Sequence, residues 1–313
     1  MKKILCLLLL VLIIAGCAGK KAEKMEWSFL NAKIDENLLS ISFADNDHGW
    51  AVTDQGNLLY SSDGGQTWTA NKISDYRLTA VCAVDKKTVW AAGINGTLYT
   101  SMEGSSSMQD RSLDPEANFL DLAFWDKDNG ILVGNRVERD SSIIGVVYRT
   151  ENGGQEWSEL YVDIGEITAL STLGEGLGWI GTTGTVWTTK DFGANWDENY
   201  LGDNISINAM YYDNYSSGFL VGNNGTYYIS FDGGWSWDDL GGQFPRERLN
   251  AIEFIDRFNG LIIGNNGLIM VTSNSGDSWG INNNATQVNL NDIAVEGKTF
   301  WICGDQGTVI IAK

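Results

Sequence analysis

Short apolar segments alternate with clusters of turn-forming residues along the chain. In the first unit, apolar segments at 38–43, 50–52 and 57–61 are separated by polar turns at 45–49 and 54–56. The segments are rich in β-branched and aromatic residues, and the chain contains only two prolines, so few positions would interrupt strand pairing. The pattern therefore predicts an all-β chain of short strands.

An eight-residue motif, here called the box, follows every third predicted strand and ends in tryptophan. Its copies are SSDGGQTW (61–68), TENGGQEW (150–157), TKDFGANW (189–196), SFDGGWSW (230–237) and TSNSGDSW (272–279), with a degenerate copy, SMEGSSSM (101–108). A glycine stands seven residues before the third box position in each unit, and a seventh follows at the end: Gly56, Gly96, Gly145, Gly184, Gly225, Gly267 and Gly307. Their spacings are 40, 49, 39, 41, 42 and 40 residues. A period near forty with strand-like content is typical of propeller blades.

The two ends of the chain predict how the ring closes. The seventh unit stops at Lys313, where its box and fourth strand would begin. Residues 27–30 match the start of a post-box strand, as in 157–160, but no box precedes them. We therefore predict an all-β, seven-bladed β-propeller with four-stranded blades over residues 26–313, closed by the N-terminal strand, which completes the last blade.

The residues of the box predict that it stabilises the hairpin turn between the third and fourth strands of its blade. Its first hydroxyl and its third carboxylate or amide can accept hydrogen bonds from turn N–H groups, the fifth residue is a glycine suited to positive φ, and the tryptophan can pack between blades. The third-position residues with this structural role are Asp63, Asn152, Asp191, Asp232 and Asn274. Because the same group recurs in blade after blade, a catalytic role for any one copy is disfavoured.

A targeting segment precedes the predicted propeller. Lys2 and Lys3 are followed by an apolar run over 4–15, which is shorter than the roughly 20 residues that a membrane span requires. The run ends in IAGC, which resembles a bacterial lipoprotein signal with cleavage before Cys17. A plain secretory signal is the alternative.

This resemblance implies a signal peptide over 1–16, a lipid attachment at Cys17 and a tether over 17–25. Several acyl chains would hold the protein stably at a membrane. We expect a lipoprotein of the cell envelope that faces away from the cytoplasm. Ala18 in the second mature position favours the outer membrane if the cell has one.

The remaining cysteines and histidine predict neither a disulfide nor a metal site. Cys82 and Cys303 lie in apolar strands of the second and seventh units, so they should be too far apart to pair. His48 is the only histidine. The acidic turns at 126–130 and 45–49 resemble the start of a calcium loop, but each has glycine at the fifth position, where that loop needs a ligand. We expect no metal and no cofactor.

The charge of the chain limits its partners. The formal net charge is −19, and removal of the two signal lysines would lower it to −21. So acidic a chain is a poor partner for nucleic acid or for bare anionic membrane. A soluble extracytoplasmic surface explains the charge equally well. We expect a monomer that reaches the membrane through its lipid.

The box consensus resembles the bacterial neuraminidase repeat, and the longer unit resembles the photosystem II assembly and stability factor family of seven-bladed propellers. The residues that carry the resemblance are Phe43, Asp45, Gly49, Trp50, Gly56, Leu59, Ser61, Asp63, Gly64, Gly65, Thr67 and Trp68. The family includes lipoproteins outside photosynthetic organisms. The resemblance implies a non-enzymatic factor that binds a membrane protein or its precursor through a basic patch.

Two other functions remain open from the sequence. A sialidase-like hydrolase needs an arginine triad and an Arg-Ile-Pro motif near its start, but no arginine precedes Arg77 and the motif is absent. Phe244-Pro245-Arg246 is a poor and misplaced match. A glycan-binding surface module is the second alternative.

The blade pattern predicts where a partner binds. In an antiparallel four-stranded blade, the connections between blades and the turns between second and third strands share one face. Six of the eight arginines map to that face: Arg77, Arg111, Arg136, Arg139, Arg246 and Arg248. An insertion at 135–144 maps there too. We expect this face to bind the partner, although interleaved acids such as Asp75, Asp140 and Glu247 allow local ion pairing as the alternative explanation.

Overall fold

The chain forms a closed ring of seven β-sheets. A computed structural model describes residues 25–104, 107–214, 216–282 and 286–313. The predicted signal peptide and Cys17 lie outside the described residues. Within these ranges, every sheet has four antiparallel strands. The first strand of each blade packs against the first strands of its two neighbours, and that of blade 7 packs against that of blade 1. The ring is therefore complete.

The strands have the following bounds. Blades 1 and 2 contain β2 (Leu38–Phe43), β3 (Gly49–Thr53), β4 (Asn57–Ser61) and β5 (Thr69–Lys72), then β6 (Leu78–Ala83), β7 (Val89–Gly93), β8 (Leu98–Ser101) and β9 (Gln109–Asp110). Blades 3 and 4 contain β10 (Ala117–Phe124), β11 (Gly130–Val137), β12 (Ile143–Thr150) and β13 (Ser158–Leu160), then β14 (Ile167–Leu173), β15 (Leu177–Thr182), β16 (Thr185–Thr189) and β17 (Asp197–Tyr200).

The second half of the ring follows the same order. Blades 5 and 6 contain β18 (Ala209–Tyr212), β19 (Gly218–Val221), β20 (Tyr227–Ser230) and β21 (Asp238–Asp239), then β22 (Leu249–Phe254), β23 (Gly260–Gly264), β24 (Ile269–Thr272) and β25 (Gly280–Ile281). Blade 7 contains β26 (Leu290–Glu296), β27 (Thr299–Gly304), β28 (Thr308–Ala312) and the N-terminal β1 (Trp27–Asn31). Single-turn 3-10 helices cover Asn223–Gly225, Gly241–Gln243 and Asn265–Gly267.

The N-terminal strand closes the ring. β1 pairs with β28 over five residues, from Trp27 opposite Ala312 to Asn31 opposite Thr308. The pairing extends beyond the strand, because Glu26 and Lys313 exchange backbone hydrogen bonds of 2.8 and 3.0 Å. The predicted fold, with seven four-stranded blades and closure by the N-terminal strand, is confirmed.

The ring has two faces, which backbone hydrogen bonds define. At one end, the box touches the turn between the first two strands of its blade, as where Gly64 N–H donates to Asp47 O over 2.9 Å. We call this end the box face. At the other end, the connection to the next blade touches the turn between the second and third strands, as where Ile73 N–H donates to Gly56 O over 3.1 Å. We call this end the connection face.

Tryptophans of the second strands join one blade to the next. Trp301 of blade 7 is buried, stacks on Phe43 of blade 1 at a centroid distance of 3.9 Å and donates its indole N–H to Gly64 O over 2.9 Å. Trp179 of blade 4 makes the equivalent bond to Gly233 O in the box of blade 5. Burial of these large rings makes the blade interfaces the main hydrophobic core.

Each box is held by its own polar side chains. In blade 1, Gly65 N–H donates to the Ser61 hydroxyl over 2.9 Å, and Thr67 N–H donates to Asp63 over 2.9 Å. Gly65 has φ of 83°, a conformation that favours glycine. The corresponding third-position side chains in other blades accept the same N–H bond: Asn152, Asp191, Asp232 and Asn274. These side chains face inward into their own turns.

The 49-residue spacing in blade 3 lengthens a hairpin. β11 and β12 have eight residues each and pair up to Val137 opposite Ile143, so the inserted residues extend both strands and leave a short turn. As a result Gly145 lies inside β12, whereas the other repeat glycines stand in turns with positive φ. The insertion at 135–144 therefore forms a paired hairpin that projects from the connection face.

Candidate functional site

The six predicted arginines lie at the connection face, in three sectors of the ring. Arg77 is in the connection from blade 1 to blade 2, and Arg111 is in the next connection. Arg136 and Arg139 are at the tip of the β11–β12 hairpin. The third sector is the connection from blade 5 to blade 6, which carries Arg246 and Arg248. The arrangement is a set of separate cations around the rim and not one pocket.

Arg136 differs from the others because acidic side chains surround it. It forms an ion pair with Asp114, a second with Glu159 at 2.7 Å and a longer contact of 3.6 Å with Glu138. Burial alone would lower the pKa of Arg136, but Glu159 and Asp114 raise it above its usual value. Glu159 also accepts a hydrogen bond from the Tyr148 hydroxyl over 3.2 Å. Arg136 therefore holds the hairpin against neighbouring residues of the chain. Its charge is largely neutralised by these ion pairs and is less available to a partner.

Three of the remaining arginines can serve a partner. Arg77, Arg139 and Arg246 are exposed, and no ion pair joins them to another described residue. Arg111 donates to Gln109 over 3.2 Å, and Arg248 donates to Asn250 over 2.9 Å. Among the described residues, the side-chain partners of these two arginines are therefore neutral. Charge-assisted bonds to a carboxylate are stronger than such neutral contacts.

Arg246 borders a shallow cavity at the rim. The cavity has a volume of about 280 Å³, and its lining includes Tyr228, Asp239 and Phe244. The backbone turn Asn224–Thr226 forms its other wall. A guanidinium beside an aromatic ring can hold an extended peptide by stacking and by hydrogen bonds.

Exposed apolar side chains stand beside the hairpin arginines, and sequence reasoning did not identify them. Val137 and Ile143 form the last pair of the hairpin, with 60% and 44% of their surface exposed. Tyr161, just after β13 of the same blade, is 98% exposed. The 49-residue spacing was the available signal, since an extended hairpin projects its terminal side chains into solvent.

The first strands of the blades surround a central channel. Acidic side chains line this channel, and the sequence analysis did not predict them. Two adjoining cavities of about 230 and 320 Å³ share Asp121 and Glu253, and the smaller one also contacts Asp292. These carboxyls come from the first strands of blades 3, 6 and 7. Among the described residues that line the two cavities there is no lysine or arginine. An acid inside an apolar innermost strand was the signal in the sequence.

The channel carboxyls hold protons more tightly than usual. Burial, together with the charge of Asp292, raises the pKa of Asp121 to about 7 and that of Glu253 to about 8. Burial also raises the pKa of Asp292, although the Ile41 and Ile293 N–H groups and the Ser40 hydroxyl counteract it. Burial of a carboxylate without a cation accounts for these shifts.

The described side chains offer no metal site, and the described helices are too short to cross a membrane. Within the four described ranges, no three His, Cys, Asp or Glu side chains are placed so that they could hold a metal ion. Over the same ranges, no helix has the length and apolarity needed to cross a membrane. Cys82 and Cys303 are both free thiols, and burial raises the pKa of Cys82 to about 12.

Comparisons with known proteins agree with the geometry. The family described as photosynthesis system II assembly factor YCF48 matches residues 19–78 and 194–282. A curated relative, the photosystem II assembly lipoprotein Ycf48 of Synechococcus sp. (strain CC9902), is 32% identical over 48% of this chain and 45% of its own. A solved structure, YCF48 bound to D1 peptide, superposes with a TM-score of 0.78 at 19% identity over 91% of this chain and 94% of its own.

The chain is thus similar to the Ycf48 assembly factors in two segments of its sequence and in its fold. The resemblance inferred from the repeat residues is thereby confirmed. A second relative, the photosystem II assembly protein Ycf48 of Thermosynechococcus vestitus (strain NIES-2133 / IAM M-273 / BP-1), is 25% identical over 43% of this chain and 38% of its own. The Ycf48-like propeller thus matches less than half the length of these curated relatives. The likeness to the solved structure establishes the fold.

Proposed function

We propose that this Ycf48-like propeller is a lipid-anchored, non-enzymatic factor that binds a membrane or envelope protein during its assembly. In this proposal Cys17 carries the lipid, and the arginines of the connection face bind a carboxylate-bearing segment of the partner. The curated relatives are named for assembly and not for a reaction, and one is named a lipoprotein. The partner of the solved relative is a peptide.

The distribution of arginines carries the proposal. Six of the eight arginines lie at one end of a chain whose net charge is −19. Arg77, Arg139 and Arg246 are exposed and have no ion pair with a described residue. An acidic body with guanidinium groups on one rim attracts carboxylates there and repels them elsewhere. The apolar side chains Val137, Ile143 and Tyr161 would supply buried contact area beside the charges.

Charge reversal at the free arginines should abolish partner capture. We expect Arg77→Glu, Arg139→Glu and Arg246→Glu together to reduce recovery of the partner from cross-linked, detergent-solubilised membranes by about tenfold or more. The reason is that each hydrogen bond to a charged group contributes about 1.5–3 kcal/mol, and about 1.4 kcal/mol is tenfold in affinity. The melting temperature should change little, since these side chains are exposed. Mass spectrometry of the captured proteins and a thermal melt measure the two quantities.

Arg257→Glu is the matched control. Arg257 lies in the box-face turn of blade 6 and carries the same guanidinium group. Loss of capture in Arg257→Glu with normal capture in the triple variant would move the binding surface to the box face. Arg136 is unsuitable for this test because its reversal would break the ion pairs with Asp114 and Glu159.

A further inference from the structure

The box of blade 5 carries two aromatic side chains that the other boxes lack. Phe231 and Trp235, at the second and sixth positions, are 66% and 52% exposed. Their own box is otherwise intact, since Ser236 N–H donates to Asp232 and Gly234 N–H donates to Ser230. The complete boxes elsewhere have smaller or polar residues at the two positions: Ser62, Gln66, Glu151, Gln155, Lys190, Ala194, Ser273 and Asp277. The box therefore does not require these aromatic rings.

A third exposed aromatic lies on the neighbouring blade of the same face. Phe258, in the turn between β22 and β23, is 49% exposed, and the Arg257 guanidinium lies 4.8 Å from its ring centre. The first strands of blades 5 and 6 pack against each other. In the turns that follow these strands, Arg257 of blade 6 is close enough to Asp213 of blade 5 for its charge to oppose the rise in the pKa of that carboxyl. The corresponding turns of blades 1 and 3 have aspartate in place of Phe258. Phe231, Trp235 and Phe258 together form what we call the aromatic patch.

The first described strand, β1, starts at the box face. β28 ends at the box face, and β1 runs antiparallel to it, so Trp27 is at the box-face end of blade 7 and Asn31 at the connection-face end. Blade 7 is next to blade 6, which carries Phe258. Seven residues, 18–24, separate Cys17 from Met25, a path of at most about 30 Å when extended. A lipid on Cys17 would hold the box face within that distance of the bilayer.

We propose that the aromatic patch docks on the lipid bilayer that holds the Cys17 acyl chains, so that the connection face points away from the membrane. The inference rests on the lipid anchor of the proposed function. Tryptophan and phenylalanine favour the membrane interface. Anionic headgroups would repel the acidic chain, so the proposed membrane surface is one of zwitterionic lipids. Because the anchor keeps the patch near the bilayer, a weak contact is enough to orient the propeller.

The orientation can be measured with one label on each face. Ser273→Cys places a thiol in the exposed second position of the blade 6 box. Gly242→Cys places one on the opposite face between blades 5 and 6, where an added Cβ meets no atom within 4 Å. The raised pKa of the half-buried Cys82 disfavours its reactive thiolate, and Cys303 is buried. The lipidated full chain carries a fluorophore at one site in phosphatidylcholine vesicles that contain brominated lipid.

We expect brominated lipid to quench the Ser273→Cys label at least about twofold more than the Gly242→Cys label, because only the first faces the acyl region. Phe231→Ser, Trp235→Gln and Phe258→Asp, which restore residues of other blades, should remove this difference while the protein still floats with the vesicles. Tyr76→Ser and Tyr161→Ser, which remove aromatics of the connection face, should leave it unchanged.

The remaining outcomes separate the docking from the anchor. If the wild type floats with the vesicles but quenching is equal at both labels, or stronger at Gly242→Cys, the docking of the patch is wrong. The lipid anchor is still supported in that case if Cys17→Ala does not float. Wild type that does not float overturns both. Self-association in detergent that the three patch substitutions abolish would assign the patch to a second copy and overturn the bilayer as its partner.

Discussion

Deletion of residues 18–31 should unfold the propeller or cause it to aggregate. The deletion removes β1, whose five residues pair with β28. Trp27 packs against the buried cluster of blades 6 and 7, and Leu30 packs against the cluster between blades 7 and 1. Loss of these contacts and of the strand pairing costs on the order of 5 kcal/mol or more, which is comparable to the whole stability of many domains.

Deletion of residues 18–24 is the control for this experiment. It shortens the predicted tether and leaves β1 and the bonds between Glu26 and Lys313 intact. Thermal melts and size-exclusion chromatography of both proteins measure the effect. The longer deletion should lower the melting temperature by more than 10 °C or abolish the transition, since each lost kcal/mol lowers it by roughly 2–4 °C. Equal melting temperatures would show that the ring does not depend on its terminal strand.

The stability of the propeller should fall as the pH rises from 5 to 9. Glu253 has a pKa raised from 4.5 to about 8 by burial and by Asp292, so the folded chain binds protons that the unfolded chain releases. The stability is therefore greatest below the unfolded pKa and declines as the pH passes through the folded pKa. Asp121, whose pKa is raised to about 7, adds to the decline.

Glu253→Gln should reduce this decline, because glutamine stays neutral. At pH 9 we expect the variant to be more stable than wild type by roughly 2–4 kcal/mol, and at pH 5 by little. Thermal melts at both values measure the difference. Glu166→Gln removes one exposed carboxylate from the connection between blades 3 and 4 and serves as the control. A Glu253→Gln variant that declines as steeply as wild type would contradict the raised pKa.

The fold could be predicted almost fully from the sequence because the same local pattern of strands and turns is repeated in every blade. The glycine period, the box and the unpaired strand at 27–30 each depend on residues close in the chain. The path of the insertion could not be predicted, because a spacing of 49 residues counts extra residues without saying whether they pair. The pairing of Val137 with Ile143 is a contact that only the folded hairpin decides.

The candidate site was only partly predictable, since side-chain contacts between distant residues decide it. The arginine face follows from the strand order alone. The capture of Arg136 by Asp114 and Glu159 joins residues 22 and 23 positions apart, so the sequence could not exclude this arginine as a partner-binding group. Asp121 and Asp292 occupy equivalent positions in their first strands, but their approach across the channel depends on closure of the ring.

Photo-crosslinking in living cells tests the central claim most directly. A photoreactive phenylalanine analogue replaces either Tyr161, which is 98% exposed on the connection face, or Phe231, which is 66% exposed on the box face. The account predicts that Tyr161→photophenylalanine gives a covalent adduct with an envelope protein, which mass spectrometry identifies, and that Phe231→photophenylalanine gives no protein adduct. Protein adducts formed from the Phe231 position and absent from the Tyr161 position would contradict it.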